Sequence, residues 1–405
     1  MKPVPHRFVL GLATVLFSSA AAVAQTAYPT PVDSNTNNQI DSSEITDVID
    51  ALPSGGVVYL PANKTYNLAS PIIVETNNIT LLGEGHGVST QGGTLLKITA
   101  NDVGVIIRNC TGSSLRHCSL AAPSGHTTNA VRIENTTNAT VDDVRITSAY
   151  RGIEILNSSG TTLTDVAMKN HIGDYGVKVW GNGGTTSNVQ ITRISSGPAS
   201  GNTITEWLVI GPNVNGLTLQ SSRFVGAYRG MRLTGSPGPT GISTIRFGCD
   251  NVLGEAVLVE SGSGLTMVNS WIGQPNSSGM IIGSGFTGPA NLTNLRIRGA
   301  YHHGLQVDGG SDINLWNPLI GANGTDPSSP TNTIAGVQVA ASVSNFRVTG
   351  GRVGPLYSQG SSAKQYYGIN FQGTAAQSST QDVKSKGASL AGNTVPFSPS
   401  NLLTN

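Results

Sequence analysis

One short motif recurs along this chain and restricts its fold more than any other feature: a small residue, usually glycine, followed by apolar-x-apolar. It reads VII after Gly104, VRI after Ala130, IEI after Gly152, VKV after Gly176, WLV after Glu206, MRL after Gly230, VLV after Ala256, MII after Gly279, LQV after Gly304, VQV after Gly336 and INF after Gly368. These eleven anchors span 264 residues at intervals of 22 to 32. A repeat of that length marks stacked structural units, and the uneven interval implies a constant core plus a loop of variable length. A second pattern, apolar-polar-x-apolar-x-apolar, follows within the units as VDDVRI at 141, LTDVAM at 163, ISTIRF at 242 and LTNLRI at 292. Its third position is Asp143, Asp165, Thr244 or Asn294, and Asn269, Asn317 and Gly350 fall at the equivalent bend. Asn, Asp and Gly are the residues that tolerate left-handed backbone at a tight corner.

Three short strands, one sharp corner and one variable loop per unit predict an all-β fold, a right-handed parallel β-helix of about 11 coils, each about 4.8 Å from the next. Composition agrees, since only 11% of residues are charged. The solvent face must then be Ser, Thr, Asn and Gly, which suits strands and turns better than a helical bundle. Caps are needed to protect the open ends. Asp41-Ser-Ser-Glu44 reads as a capping box, with Ile45, Val48, Ile49 and Leu52 on one helical stripe. The organisation expected is residues 1–24 as a signal peptide, 25–54 as an arm with the capping helix, 55–374 as the β-helix and 375–405 as a C-terminal cap or tail, all in one domain.

Lys2 and Arg7 precede the apolar run Phe8 to Phe17, and Ala22-Val23-Ala24 is a small-x-small cleavage pattern, so a cut after Ala24 and a secreted or periplasmic product are expected. Removing those residues leaves 21 basic against 22 acidic side chains, a balance that implies no general affinity for nucleic acid. No other stretch reaches the length of a membrane span. Cys110 and Cys118 are close enough to close a small loop, and Cys249 is left over, so no disulfide framework is indicated. No cofactor and no metal site are expected, calcium being the one alternative left open: His302 and His303 are consecutive, and Asp174 and Glu154 are oxygen donors for calcium without a full set.

The segment GGVVYLPANKTYNLASPIIVETNNITLLGEGHG, Gly55 to Gly87, resembles the opening of the pectate-lyase superfamily, in particular its polygalacturonase-related and phage-tailspike-like branch. With the coils behind it, the likeness covers roughly residues 33 to 395. It implies the β-helix fold, a polysaccharide partner and, by likeness to tailspikes, a homotrimer as one assembly. That fold carries lyases, hydrolases, epimerases and non-catalytic adhesins. Where polygalacturonases place aspartates before the glycine and in the next coil, this chain has Tyr150-Arg151-Gly152 and Asp174-Tyr175-Gly176, so only Asp174 keeps a carboxylate. His303-Gly304 echoes that family's His-Gly pattern, while its Arg-x-Lys signature has no match.

Stacking the coils lines up the two residues before each glycine: Tyr150-Arg151, Asp174-Tyr175, Tyr228-Arg229, Gly254-Glu255, His302-His303 and Tyr366-Tyr367. On the following strand come Arg132, Glu154, Lys178 and Arg232, then Glu134, Trp180, Glu260 and Asp308. Aromatic faces stack on sugars, and Arg or Lys pairs with uronate carboxylates. The expected function is therefore a polysaccharide lyase cleaving an acidic polysaccharide by β-elimination. Its catalytic candidates are Arg151, Asp174, Tyr175, Lys178 and Arg229, with Arg151, Arg229 or Arg232 neutralising the sugar carboxylate and Tyr175 or Lys178 as base. Tyr150, Trp180, Tyr228, Arg232, His302, His303 and Asp308 are the expected substrate-binding residues. The alternatives are a hydrolase using Asp174 with Glu154 or Asp308, and a non-catalytic glycan-binding or structural β-helix in which the charges form solvated ladders such as Arg132–Glu154–Lys178. A further column, Arg145, Arg193, Arg223, Arg246, Arg296 and Arg352, follows the corner, with Arg193, Arg223 and Arg246 expected in consecutive coils. A bound polyanion, splayed side chains or carboxylates such as Asp250 would each relieve its repulsion.

Overall fold

The computed structural model describes residues 28–398 except 38, 63, 87–91, 171–172, 198–203, 327, 329–332, 355–364, 373–378 and 382–394. The expected signal peptide and its cleavage site lie outside the described residues. The chain forms a right-handed parallel β-helix in which every strand pairs with its counterpart one coil away. Ile153 pairs with Val177, Val177 with Leu208 and Leu208 with Met231, so apolar residues some two dozen positions apart become neighbours. Among the described residues the glycine-led ladder holds thirteen strands, one more at each end than the eleven anchors: Ile72–Val74 opens it and Val395–Ser398 extends it. Ser379–Gln381 likewise continues another ladder, so these two pieces of the expected C-terminal cap are further strands.

Helix α1 (Ser42–Asp50) lies against the first strands, Ile72–Val74 among them. Asp41 is its N-cap, and the backbone N–H of Asp41 donates to Glu44 Oε2 at 2.9 Å, closing the capping box. Glu44 also accepts from Ser34 and Asn35. The bond from the Asp41 amide leads the set that holds its carboxyl below the usual carboxylate range. Ile45 and Ile49 enter the core, and Val48 and Leu52 pack at its margin. Deeper in the stack, Trp207, Phe224 and Phe247 form an aromatic column with centroids 6.4 and 5.7 Å apart. All three cysteines are buried and free, so no Cys110–Cys118 bridge forms.

Three register assignments differ from the sequence reading. Tyr175, Glu206 and Arg229 pair with one another, which puts Trp207, not Glu206, in the glycine slot. The indole fits there because Gly176 in the neighbouring coil leaves room: a Cβ on Gly176 would come within 2.7 Å of it. The corner itself consists of His117, Asp143, Asp165, Arg193, Ser221, Arg246, Asn269, Asn294 and Asn317, all at positive φ, followed by Gly350. Thr244 is instead a fully buried strand residue paired with Met267. Arg193 and Arg246 therefore occupy the bend, whereas Arg145, Arg223, Arg296 and Arg352 lie two residues beyond it in register with Trp271 and Leu319. Beyond the glycine-led strands, Asn109, Asn135 and Asn157 also take left-handed backbone, a second set of asparagine turns where only one corner was expected.

Candidate functional site

The expected sugar-binding stripe does assemble on the glycine-led ladder. Arg151–Leu156, Tyr175–Trp180, Glu206–Ile210 and Arg229–Leu233 are consecutive strands. Its outward side chains form two ion-paired networks. In the first, Glu154, only 6% exposed, accepts from Asn129 Nδ2 at 2.7 Å, Arg132 Nε at 3.1 Å and Trp180 Nε1 at 2.9 Å. Arg151 pairs with Asp174 at 3.0 Å. In the second, Glu206 bridges Arg229 and Arg232 at 3.3 Å each, Arg229 also meets Glu255 at 2.9 Å, and Arg232 meets Glu260 at 2.9 Å. Burial alone raises the Glu255 carboxyl, yet hydrogen bonds from its own backbone, Arg229 and Ser277 hold it below its ordinary value.

Charge is thus largely balanced within the protein. The first network sets Arg132, Arg151 and Lys178 against Glu134, Glu154 and Asp174, and the second sets two arginines against three glutamates. Glu206 was missed in the sequence because the slipped register hid its place beside Tyr175 and Arg229. The expected Glu154–Lys178 pair is absent among the described salt bridges, Glu154 being occupied by its three donors. Lys178 instead sits over Trp180, 4.1 Å from the ring centroid, and 5.7 Å from that of Tyr175. Among the described residues it is the one cation of this face with no carboxylate in salt-bridge reach.

Tyr175 does not suit the role of base. It is 4% exposed, its hydroxyl donates to Asn129 Oδ1 at 3.0 Å, and burial pushes its phenol well above the ordinary value. Tyr150 and Tyr228 lie on the glycines of the next coil, since a Cβ on Gly173 or Gly254 would come within 2.2 or 3.0 Å of their rings. Tyr228 remains 44% exposed, with Arg229 4.7 Å from its ring centroid.

The second expected cluster is separate. From Lys178 to Gln306 the register runs through five coil steps, roughly 24 Å at the usual strand spacing, and His303 lies three coils from Arg229. A hollow of about 370 Å³ there is lined by His303, Gln306, Asp308, Gln338 and Tyr367. His302, next to it in sequence, is exposed. The Ala335 amide donates to His303 Nδ1 at 3.0 Å, so the neutral ring carries its proton on Nε2. Burial, with His302 beside it, pushes the His303 imidazole down to about 4. Asp308 accepts from Gln306 Nε2, and the buried Gln338 Nε2 has no protein partner. The hollow thus combines two donors, His303 Nε2 and Gln338 Nε2, with the acceptor Asp308. Among the described residues no three His, Cys, Asp or Glu groups converge to hold a metal ion, and no helix is long and apolar enough to cross a membrane.

No family model and no curated protein matches this chain. Solved structures do. The A-module of the Azotobacter vinelandii mannuronan C-5 epimerase AlgE6 superposes with a TM-score of 0.57 at 18% identity, covering 89% of this chain and 92% of that one. Tailspike protein 3 of bacteriophage CBA120 gives 0.61 at 12% identity over 93% of this chain and 59% of its own. The endo-xylogalacturonan hydrolase of Aspergillus tubingensis gives 0.52 at 14% over 92% and 99%. The fold is therefore the pectate-lyase-like β-helix, as the opening segment implies.

Proposed function

We propose that this protein is an exported, polysaccharide-acting β-helix that lays a uronate-bearing glycan along its glycine-led face and cleaves it by β-elimination. The observation that carries this reading is the setting of Lys178, a cation without a carboxylate partner, held by the Trp180 and Tyr175 rings. The Arg151 guanidinium lies on the same Tyr175 ring at 5.7 Å. Arg151 and Asp174 are 39% and 40% exposed, and a pair that open to solvent contributes little, so a sugar carboxylate can take the place of Asp174. Arg151 then neutralises the uronate. Lys178, once it has lost its own proton, removes the proton beside that carboxylate; the electron pair forms a carbon–carbon double bond, and the glycosidic oxygen leaves and takes up a proton. The hollow at His303 serves as a distant subsite for sugar hydroxyls.

Geometry weighs against the hydrolase alternative. Glu154 has both oxygens occupied, and Asp174 and Asp308 stand about five coils apart, far beyond the ~5–9.5 Å of a glycosidase carboxylate pair. Likeness to a mannuronan C-5 epimerase favours a second reading, epimerisation, which starts from the same proton removal and ends without cleavage.

The test incubates the mature protein with a panel of uronate polysaccharides. The expected product is an unsaturated sugar detected by ultraviolet absorbance, abolished by Lys178→Ala and retained by Tyr175→Phe. New reducing ends without unsaturation would make it a hydrolase, and an altered C-5 configuration alone an epimerase. Glycan binding with no chemical change would leave a non-catalytic binding protein.

A further inference from the structure

On another side of the coil, the corner and the strand after it enclose a groove of about 810 Å³ that shares no lining residue with the glycine-led face. It runs along the axis from Arg246 to Arg352 across five consecutive coils, roughly 19 Å at the usual spacing. At its edge the amides of Asn269, Asn294 and Asn317 bond one to the next at 2.7 and 2.9 Å, which fixes the bend. Three successive coils contribute Arg246, Trp271 and Arg296 in turn. Trp271 is 37% exposed. Its ring rests against Gly273, where a Cβ would come within 2.6 Å of it, so the indole is held in place with part of its surface open to a ligand.

The electrostatics are the reverse of those on the glycine-led face. Every arginine described above on that face meets a carboxylate, whereas no acidic side chain lines this groove; the carboxylate next to it, Asp250, which shares Gly273 with the indole, is paired with Arg223 at 3.9 Å. Arg246 and Arg296 are exposed, and among the described residues neither has a carboxylate in salt-bridge reach. The corner shows how such a charge is compensated elsewhere: Arg193, in the same column as Arg246, makes a two-pronged contact with Asp165 at 2.6 and 2.7 Å. At Arg246 the neighbouring corners are Ser221 and Asn269, which bring no charge.

We propose that this groove is a second, accessory binding site for an anionic glycan, with a sugar ring on Trp271 and its carboxylate or sulfate groups on the guanidinium groups of Arg246 and Arg296. Guanidinium forks match both anions, and an indole flanked by them favours a charged saccharide over a simple inorganic ion. The site does not depend on cleavage at the other face.

Binding is measured by calorimetry on the mature protein carrying Lys178→Ala, which disables the proposed catalytic face. The probes are an oligouronate, a sulfated oligosaccharide and a neutral oligosaccharide of equal length. At least one anionic probe is expected to bind, with an affinity that falls as salt rises, and the neutral one is not. Arg296→Ala and Trp271→Ala should each weaken that binding about tenfold while leaving the thermal midpoint in place, as befits exposed side chains. The oligouronate and sulfate arms identify which acidic group is taken. Failure of both anionic probes, equal binding of the neutral one, or binding indifferent to Arg246→Ala, Trp271→Ala and Arg296→Ala would overturn the proposal. Full displacement by a single-stranded oligonucleotide at equal charge concentration would also overturn it, in favour of a general polyanion site. A protein that binds here yet shows no chemistry on any uronate separates the failure of the catalytic reading from the failure of this one.

Discussion

Glu154 offers the sharpest test of how the glycine-led face is held together. Its carboxylate receives two donors on Oε2, from Asn129 and Arg132, and one on Oε1, from Trp180. In Glu154→Gln the side chain keeps its shape, but one of its two terminal atoms becomes an NH2 group. Whichever way the amide turns, at least one N–H donor then faces another. Hydrogen bonds to a charged acceptor contribute about 1.5–3 kcal/mol each and neutral ones about 1, while a buried donor left unpaired costs about 1–3 kcal/mol. With one bond lost and two weakened, the loss is at least about 3 kcal/mol, as found when one partner of a buried ion pair is removed. Urea unfolding followed by tryptophan fluorescence should show a clear fall in midpoint. Because each coil touches only its neighbours, hydrogen exchange should quicken first in Asn129–Glu134, Arg151–Leu156 and Tyr175–Trp180. An unchanged midpoint would refute the structural role, and if activity vanished at the same time Glu154 would belong to the chemistry.

Other consequences can be checked separately. Gly230→Ala places a methyl 2.2 Å from Cys249 Sγ and 2.8 Å from the Ala256 carbonyl oxygen, so a loss of about 1–3 kcal/mol is expected in thermal or urea unfolding. Burial pushes the Cys118 thiol up to about 12 and raises Cys110 and Cys249 as well; a thiol reagent at neutral pH should label none of the three until the protein unfolds. His303, pushed down to about 4 by burial, stays neutral in the folded state between pH 6.5 and 4 while the unfolded chain takes up a proton. Stability should therefore fall as pH drops through that window, by at most about 3 kcal/mol, and level off below it. His303→Gln should flatten the slope, and an identical pH profile for the variant would show that another group sets it.

The fold was legible because the glycine-led motif survives in almost every coil and its apolar partners alternate inward. Reading failed where a coil breaks its own rule. Trp207 stands in the glycine slot where Glu206 was expected, and only the space above Gly176 makes that possible, a relation between residues 31 positions apart that no local pattern displays. Likewise Arg193 and Arg246 adopt the left-handed corner that Asn or Asp usually fills, so a rule based on turn propensity placed them two residues late. At the candidate site, the columns of Tyr150, Arg151, Lys178 and Arg229 were visible from spacing. Their ion-pairing was not, because it depends on side-chain direction and on Glu206, which the same slip had displaced. Tyr175 looked available for the same reason: its neighbours in sequence say nothing of Asn129 in the coil before the last.

The coil-by-coil pairing also has a mechanical side. A load applied along the axis peels hydrogen bonds one rung at a time, and each released rung frees some two dozen residues, roughly 80 Å of slack at about 3.4 Å per residue. Extension would thus proceed as a staircase of similar steps, with the treads lengthening only where a coil is longer, as in the 32 residues from Gly304 to Gly336.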